Sequence, residues 1–119
     1  MRKQERACVE TLEARTLMAA DTVLEWNQGA VEARRVARLS PEAQARALAM
    51  VHGAVFDAVN GIERDYAPYL VQRHAPRWAS EEAAAAVAPH GVLVGLMPAQ
   101  QATLDAALAS SLAAVPDGP

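Results

Sequence analysis

Three histidines, His52, His74 and His90, are the side chains of this sequence best suited to proton transfer or metal ligation. None has a second His or a Cys at ligand spacing, and no carboxylate completes a zinc-type triad in the local sequence. His74 and His90 read as loop and helix-surface residues. His52 falls on an apolar helical stripe, where a buried, hydrogen-bonded core histidine is the expectation. Asp57 and Asn60 follow His52 at offsets of five and eight residues. On a straight helix Asp57 does not stand beside His52, whereas Asn60 lies about two turns along the same side. This polar strip is expected to fix register between packed helices rather than to carry out catalysis by His52 and Asp57.

The nucleophiles give no more. Ser40 and Ser80 stand where helix caps belong, and Ser110 and Ser111 have no histidine near them in sequence. Gly-x-Ser-x-Gly elbows, phosphate-cradling glycine loops and dinucleotide fingerprints are absent from the sequence. Glu81 and Glu82 belong to a helix first turn. Arg34, Arg35 and Arg38, the one basic cluster, read as a solvated helix face. Cys8 is the single cysteine, so no disulfide forms within the chain. No residue is assigned as catalytic, cofactor-binding or metal-binding.

The elements that would position these residues are all helical. Thr22 followed by Glu25 is a capping-box pattern, opening a helix to about Arg38 with Val23, Trp26, Ala30, Ala33 and Ala37 on one side. Ser40-Pro41-Glu42 starts a second helix, with Ala45, Leu48, Ala49, His52, Val55, Phe56, Val59 and Ile62 as its apolar stripe. Asn60-Gly61 is expected to weaken or end it. Residues 63–79 read as an ordered connector anchored by the rings of Tyr66, Tyr69 and Trp78. A third helix runs from Ser80 to about Met97, kinked or divided at Pro89. Pro98 opens a fourth, lined by Leu104, Leu108 and Leu112, and Pro116-Asp117-Gly118-Pro119 stops it. The predicted fold is all-α, about four amphipathic helices forming a partial helical bundle.

Composition bounds the rest. Of 119 residues, 28 are alanine, which favours helix but buries little area, so the core stock is thin. The net charge is −3 with no basic stripe, which argues against nucleic-acid binding. No segment reaches the ~18 apolar residues of a membrane span. Residues 1–20 carry charges throughout and read as a leader or disordered tail rather than an ordinary secretory signal.

Taken in order, several strings resemble the N-terminal region of bacterial vanadium-dependent haloperoxidase-like proteins, of the type-2 phosphatidic acid phosphatase superfamily. They are Asp21-Thr22-Val23-Leu24-Glu25-Trp26-Asn27, the run from Arg46 through His52 and Asp57 to Asn60, Tyr66-Ala67-Pro68-Tyr69, and Pro98 through Thr103-Leu104-Asp105 to Gly118. The resemblance covers about four fifths of the chain. It implies a many-helix bundle holding vanadate or phosphate through a lysine, arginines, a Ser-Gly-His segment and a histidine, all in the C-terminal half of longer chains. Here the one lysine is Lys3 and there is no Ser-Gly-His, so no catalytic residue of the family carries over and no cofactor is expected in this chain. Pro89 departs from the continuous helix usual in relatives. Leu12-Glu13-Ala14-Arg15-Thr16-Leu17 is similar to an element heading many exported bacterial proteins, which implies a periplasmic or extracellular location, the alternative being a cytoplasmic one.

The expectation is therefore a structural N-terminal helical segment, truncated, spanning 21–119 and inactive alone. Its partner would be the missing C-terminal catalytic bundle. The alternative is a free-standing interaction module that binds a helix or a second copy of itself through Leu48, His52, Val55 and Val59.

Overall fold

The computed structural model describes residues 21–115. Residues 1–20 and 116–119, with the expected leader and the Pro-Asp-Gly-Pro stop, lie outside that range. Among the described residues there are four α-helices and no strand. Helix α1 covers 21–36, α2 Pro41–Glu63, α3 Glu81–Leu96 and α4 Gln101–Ala113, the last preceded by a 3-10 turn at Pro98–Gln100.

Local chemistry explains most boundaries. Residues 21 and 22 are helical, so Thr22 sits within the described part of α1. The helix ends two residues before the expected Arg38, which takes the left-handed conformation at φ 55° and turns the chain. Ser40 then caps α2 by accepting from the Ala43 amide at 3.3 Å, with Pro41 in the first turn where its missing N–H costs nothing. Ser80 caps α3 in the same way, accepting from Ala83 N at 3.1 Å. Asn60-Gly61 does not end α2. The helix continues to Glu63 and stops at Arg64, left-handed at φ 61°.

Helix α3 packs between α2 and α4. The core joins Trp26, Ala30 and Ala33 of α1 to Val51 of α2, Ala86 and Leu93 of α3, Met97 and Leu104. Alanines at the contacts let the backbones approach closely, so few large side chains fill the space. Pro89 does not divide α3, which runs through it. Its ring is among the most deeply buried groups, and packing outweighs the backbone hydrogen bond that proline forfeits.

The apolar stripe of α2 is rotated from the expected one. Ala47, Val51, Val55 and Ile62 are buried, whereas Ala45, Ala49, His52 and Phe56 are exposed. The reason is that α2 buries two strips: the aliphatic one, and a polar one of Asp57, Asn60 and Gly61 beneath the connector. On α4, Leu104 is buried, Leu108 half-buried and Leu112 exposed, so the leucine line leaves the core as it runs.

Candidate functional site

The buried polar strip on α2 holds the connector. Asp57 accepts backbone hydrogen bonds from Tyr69 at 2.7 Å and from Leu70 and Val71, both at 2.9 Å. Asn60 donates to Tyr66 O at 2.8 Å and accepts from Tyr66 N at 3.0 Å. The Arg64 guanidinium reaches Ala75 O at 2.8 Å, and Ala75 N donates to Gly61 O at 3.0 Å. The hydrogen bond from Val71, helped by those from Tyr69 and Leu70, holds the Asp57 carboxyl below its ordinary range against an opposing effect of burial. Glycine is required at 61 because a Cβ there would stand 2.8 Å from Arg73 O.

The connector is therefore ordered as expected, but polar groups and not rings anchor it. Tyr66, Tyr69 and Trp78 are all exposed. Tyr66 lies 6.3 Å from Phe56 between ring centres, and the Tyr69 ring lies over Gly53. Asp57 and Asn60 do fix a register, that of a loop on a helix rather than of one helix on another.

His52 and Asp57 are not brought together into a site. His52 is exposed, and its Nε2 is bonded to Asn27 Oδ1 of α1 at 2.9 Å. It is thus a surface tie between α1 and α2 and not the core histidine expected. His74 lies on the exposed connector. His90, expected on a helix surface, is largely covered, with 19% of its side chain accessible. Its Nε2 donates to Asp105 Oδ1 at 2.7 Å, and its ring meets the Trp26 indole edge-on at 6.3 Å. The indole N–H of Trp26 in turn donates to Ser111 Oγ at 3.2 Å. This cluster ties α1, α3 and α4, and sequence offsets of 15 and 85 residues hide both bonds from any local reading.

The basic cluster is engaged structurally. Arg34 donates to Gln44 Oε1, Gln44 Nε2 donates to Leu39 O at 2.7 Å, and Arg35 pairs with Glu32 at 2.8 Å. The Arg34–Gln44 bond ties α1 to the start of α2, whereas the Arg35–Glu32 pair lies within α1. Among the described residues no three of His, Cys, Asp and Glu stand together as metal ligands. A groove of about 540 Å³ between α1 and α4 is lined by Glu25, Trp26, Glu32, Thr103, Leu104 and Ser111 among others, and among the described residues none of its carboxylates is hydrogen-bonded to Thr103 or Ser111.

What remains is surface. From Ala83 to Val115 the only Asp, Glu, Lys or Arg is Asp105, the partner of His90. An average soluble stretch of that length carries about eight charges. Residues 21–65 carry twelve. Yet the α3–α4 hairpin exposes Val87, Gly91, Gly95 and Leu96 of one helix and Ala102, Ala106, Ala109 and Leu112 of the other. Beyond its first-turn Glu81 and Glu82, α3 has His90 as its one polar side chain, and so apolar a helix belongs among neighbours. The face expected to bind a partner, Leu48, His52, Val55 and Val59, is not free: Val55 is buried and Leu48 packs on the core. No helix among the described residues is long and apolar enough to cross a membrane. The chain matches no family model, no curated protein and no solved structure.

Proposed function

We propose that this chain is a non-catalytic helical packing segment whose α3–α4 hairpin docks against an apolar helical surface. We further propose that the surface belongs to the catalytic bundle of a vanadium-dependent haloperoxidase or acid phosphatase-like protein, of which this is the N-terminal structural part. The observation that carries the docking reading is the uncharged hairpin from Ala83 to Val115, exposed on both helices with its single carboxylate bonded to His90. Removing such a surface from water is favourable by roughly 25 cal/mol per Å², and the one charged group to be desolvated, Asp105, keeps His90 as its hydrogen-bond partner. The ordered series of family-like strings supports the choice of partner. The oxyanion-binding lysine, arginines and histidines would come from that partner, with vanadate held there.

The test is the intact mass of the native protein in its own cells, with peptide mapping. A species much larger than 12.6 kDa that contains these peptides and an oxyanion-binding segment is the expected result. A mature species at 12.6 kDa without a stably bound bundle would overturn the proposal. The same uncharged face favours one other reading, self-association of the free chain, for which concentration-dependent dimerisation in sedimentation equilibrium is the sign.

A further inference from the structure

We propose that the connector from Tyr66 to Ala79 is a docking surface for an anionic phospholipid bilayer. The inference does not rest on the packing role of α3–α4, because it concerns a different surface.

The connector departs from the rest of the chain in charge. Residues 66–79 contain Arg73, His74 and Arg77 and no acid, in a protein of net charge −3. They also hold three of the five aromatic residues. Acids flank it at both ends, Glu63 and Asp65 before Tyr66 and Glu81 and Glu82 after Ala79, with Asp57 beneath it. The Asp57 carboxylate is engaged by three backbone amides, and Glu82 is buried and accepts from Ser80 Oγ at 3.0 Å.

Its apolar side chains point outward although its backbone is tightly held. Leu70 is 81% exposed, Tyr69 78% and Trp78 68%. Asp57, Asn60, Gly61 and Arg64 pin the backbone from Tyr66 to Ala75, so the outward display is a fixed arrangement and not a collapsed loop. Leu70 and Val71 lie between Tyr66 and Tyr69 on one side and Arg73 and His74 on the other. This order suits a membrane interface: aliphatic groups enter the acyl boundary, Tyr and Trp rings sit at headgroup level, and arginines meet lipid phosphates. Charge complementarity selects an anionic surface. Single-stranded nucleic acid would use the rings and arginines but finds no stacking platform in Leu70 and Val71, the centre of the display.

The experiment is co-sedimentation of the full chain with vesicles of phosphatidylcholine alone and of phosphatidylcholine mixed equally with phosphatidylserine. The chain is expected to pellet with the mixed vesicles and much less with the neutral ones. Arg73→Gln and Arg77→Gln should each lower the partition coefficient about fivefold, and Leu70→Asp should abolish pelleting. Circular dichroism checks that each variant keeps its helices. Quenching of Trp78 by brominated lipid tests the unaltered chain directly, because Trp26 is buried. Absence of pelleting and quenching, full binding by Leu70→Asp, or capture of a single-stranded oligonucleotide in place of vesicles overturns the proposal.

Discussion

The Asp57 carboxylate lies 2.7 Å from the backbone nitrogen of Tyr69, twelve residues further along the chain. With Leu70 and Val71 it closes a three-amide cradle that lays the connector along α2. A carboxylate bonded this way accepts more hydrogen bonds when ionised than a neutral amide could replace. Asp57→Asn should therefore free the connector while leaving the four helices in place. Hydrogen exchange at the amides of Tyr69, Leu70 and Val71 checks this: exchange as slow as in the parent would refute it.

The same cradle sets a pH dependence. The Asp57 pKa is lowered in the folded chain, so the carboxylate's contribution to stability is complete above the unfolded value of about 3.9. It is lost as pH falls through the lower folded value. Between neutrality and about pH 5 the Asp57→Asn variant should show a constant stability deficit, and the deficit should shrink in strong acid. Urea titrations across pH measure it.

Two glycines should respond in opposite directions. A Cβ at Gly61 would stand 2.8 Å from Arg73 O, a backbone atom, so Gly61→Ala should destabilise by about 1–3 kcal/mol. Gly29 lies within α1 with nothing within 4 Å of an added Cβ, and Gly29→Ala should stabilise by about 0.5–1 kcal/mol. Thermal melts of the two variants read both signs.

Trp26 fills the centre of the core and ties α1 to Ser111 through its indole N–H. Trp26→Ala should cost about 3–5 kcal/mol, enough to unfold a chain with so thin a core. Ser111→Ala removes only the acceptor and should cost about 0.5–1.5 kcal/mol, with a shift in the emission of the buried indole. Chemical denaturation followed by tryptophan fluorescence distinguishes the two.

The His90–Asp105 pair joins α3 to α4 with its carboxylate half open to water. A double-mutant cycle on His90→Gln and Asp105→Asn should give a coupling of about 1 kcal/mol or less, weakening as salt is raised. A coupling insensitive to salt would show that the pair acts as a neutral hydrogen bond.

Much of the fold was legible in the sequence because it rests on local chemistry. The caps at Ser40 and Ser80, the start signal at Pro41 and the apolar side of α1 are set by residues within a turn or two of each other, whereas Pro98 opens a 3-10 turn and α4 itself starts at Gln101. The rotation of α2 was not legible, since a helix with two buried strips gives a blurred period, and nothing local marks Asp57 as facing a loop. Pro89 read as a breaker because proline's local cost is visible and its burial between helices is not.

By itself the sequence determined that this chain is helical, that it holds no Ser-Gly-His segment and one lysine, and that its last two helices carry almost no charge. The tertiary structure alone decided which partners the polar groups have. Asp57 met the Tyr69–Val71 amides, His90 met Asp105, and Trp26 met Ser111 across 85 residues of chain. Propensity and capping act over about one helical turn, whereas such pairings follow from how whole helices pack, and packing is set by the sum of their buried faces.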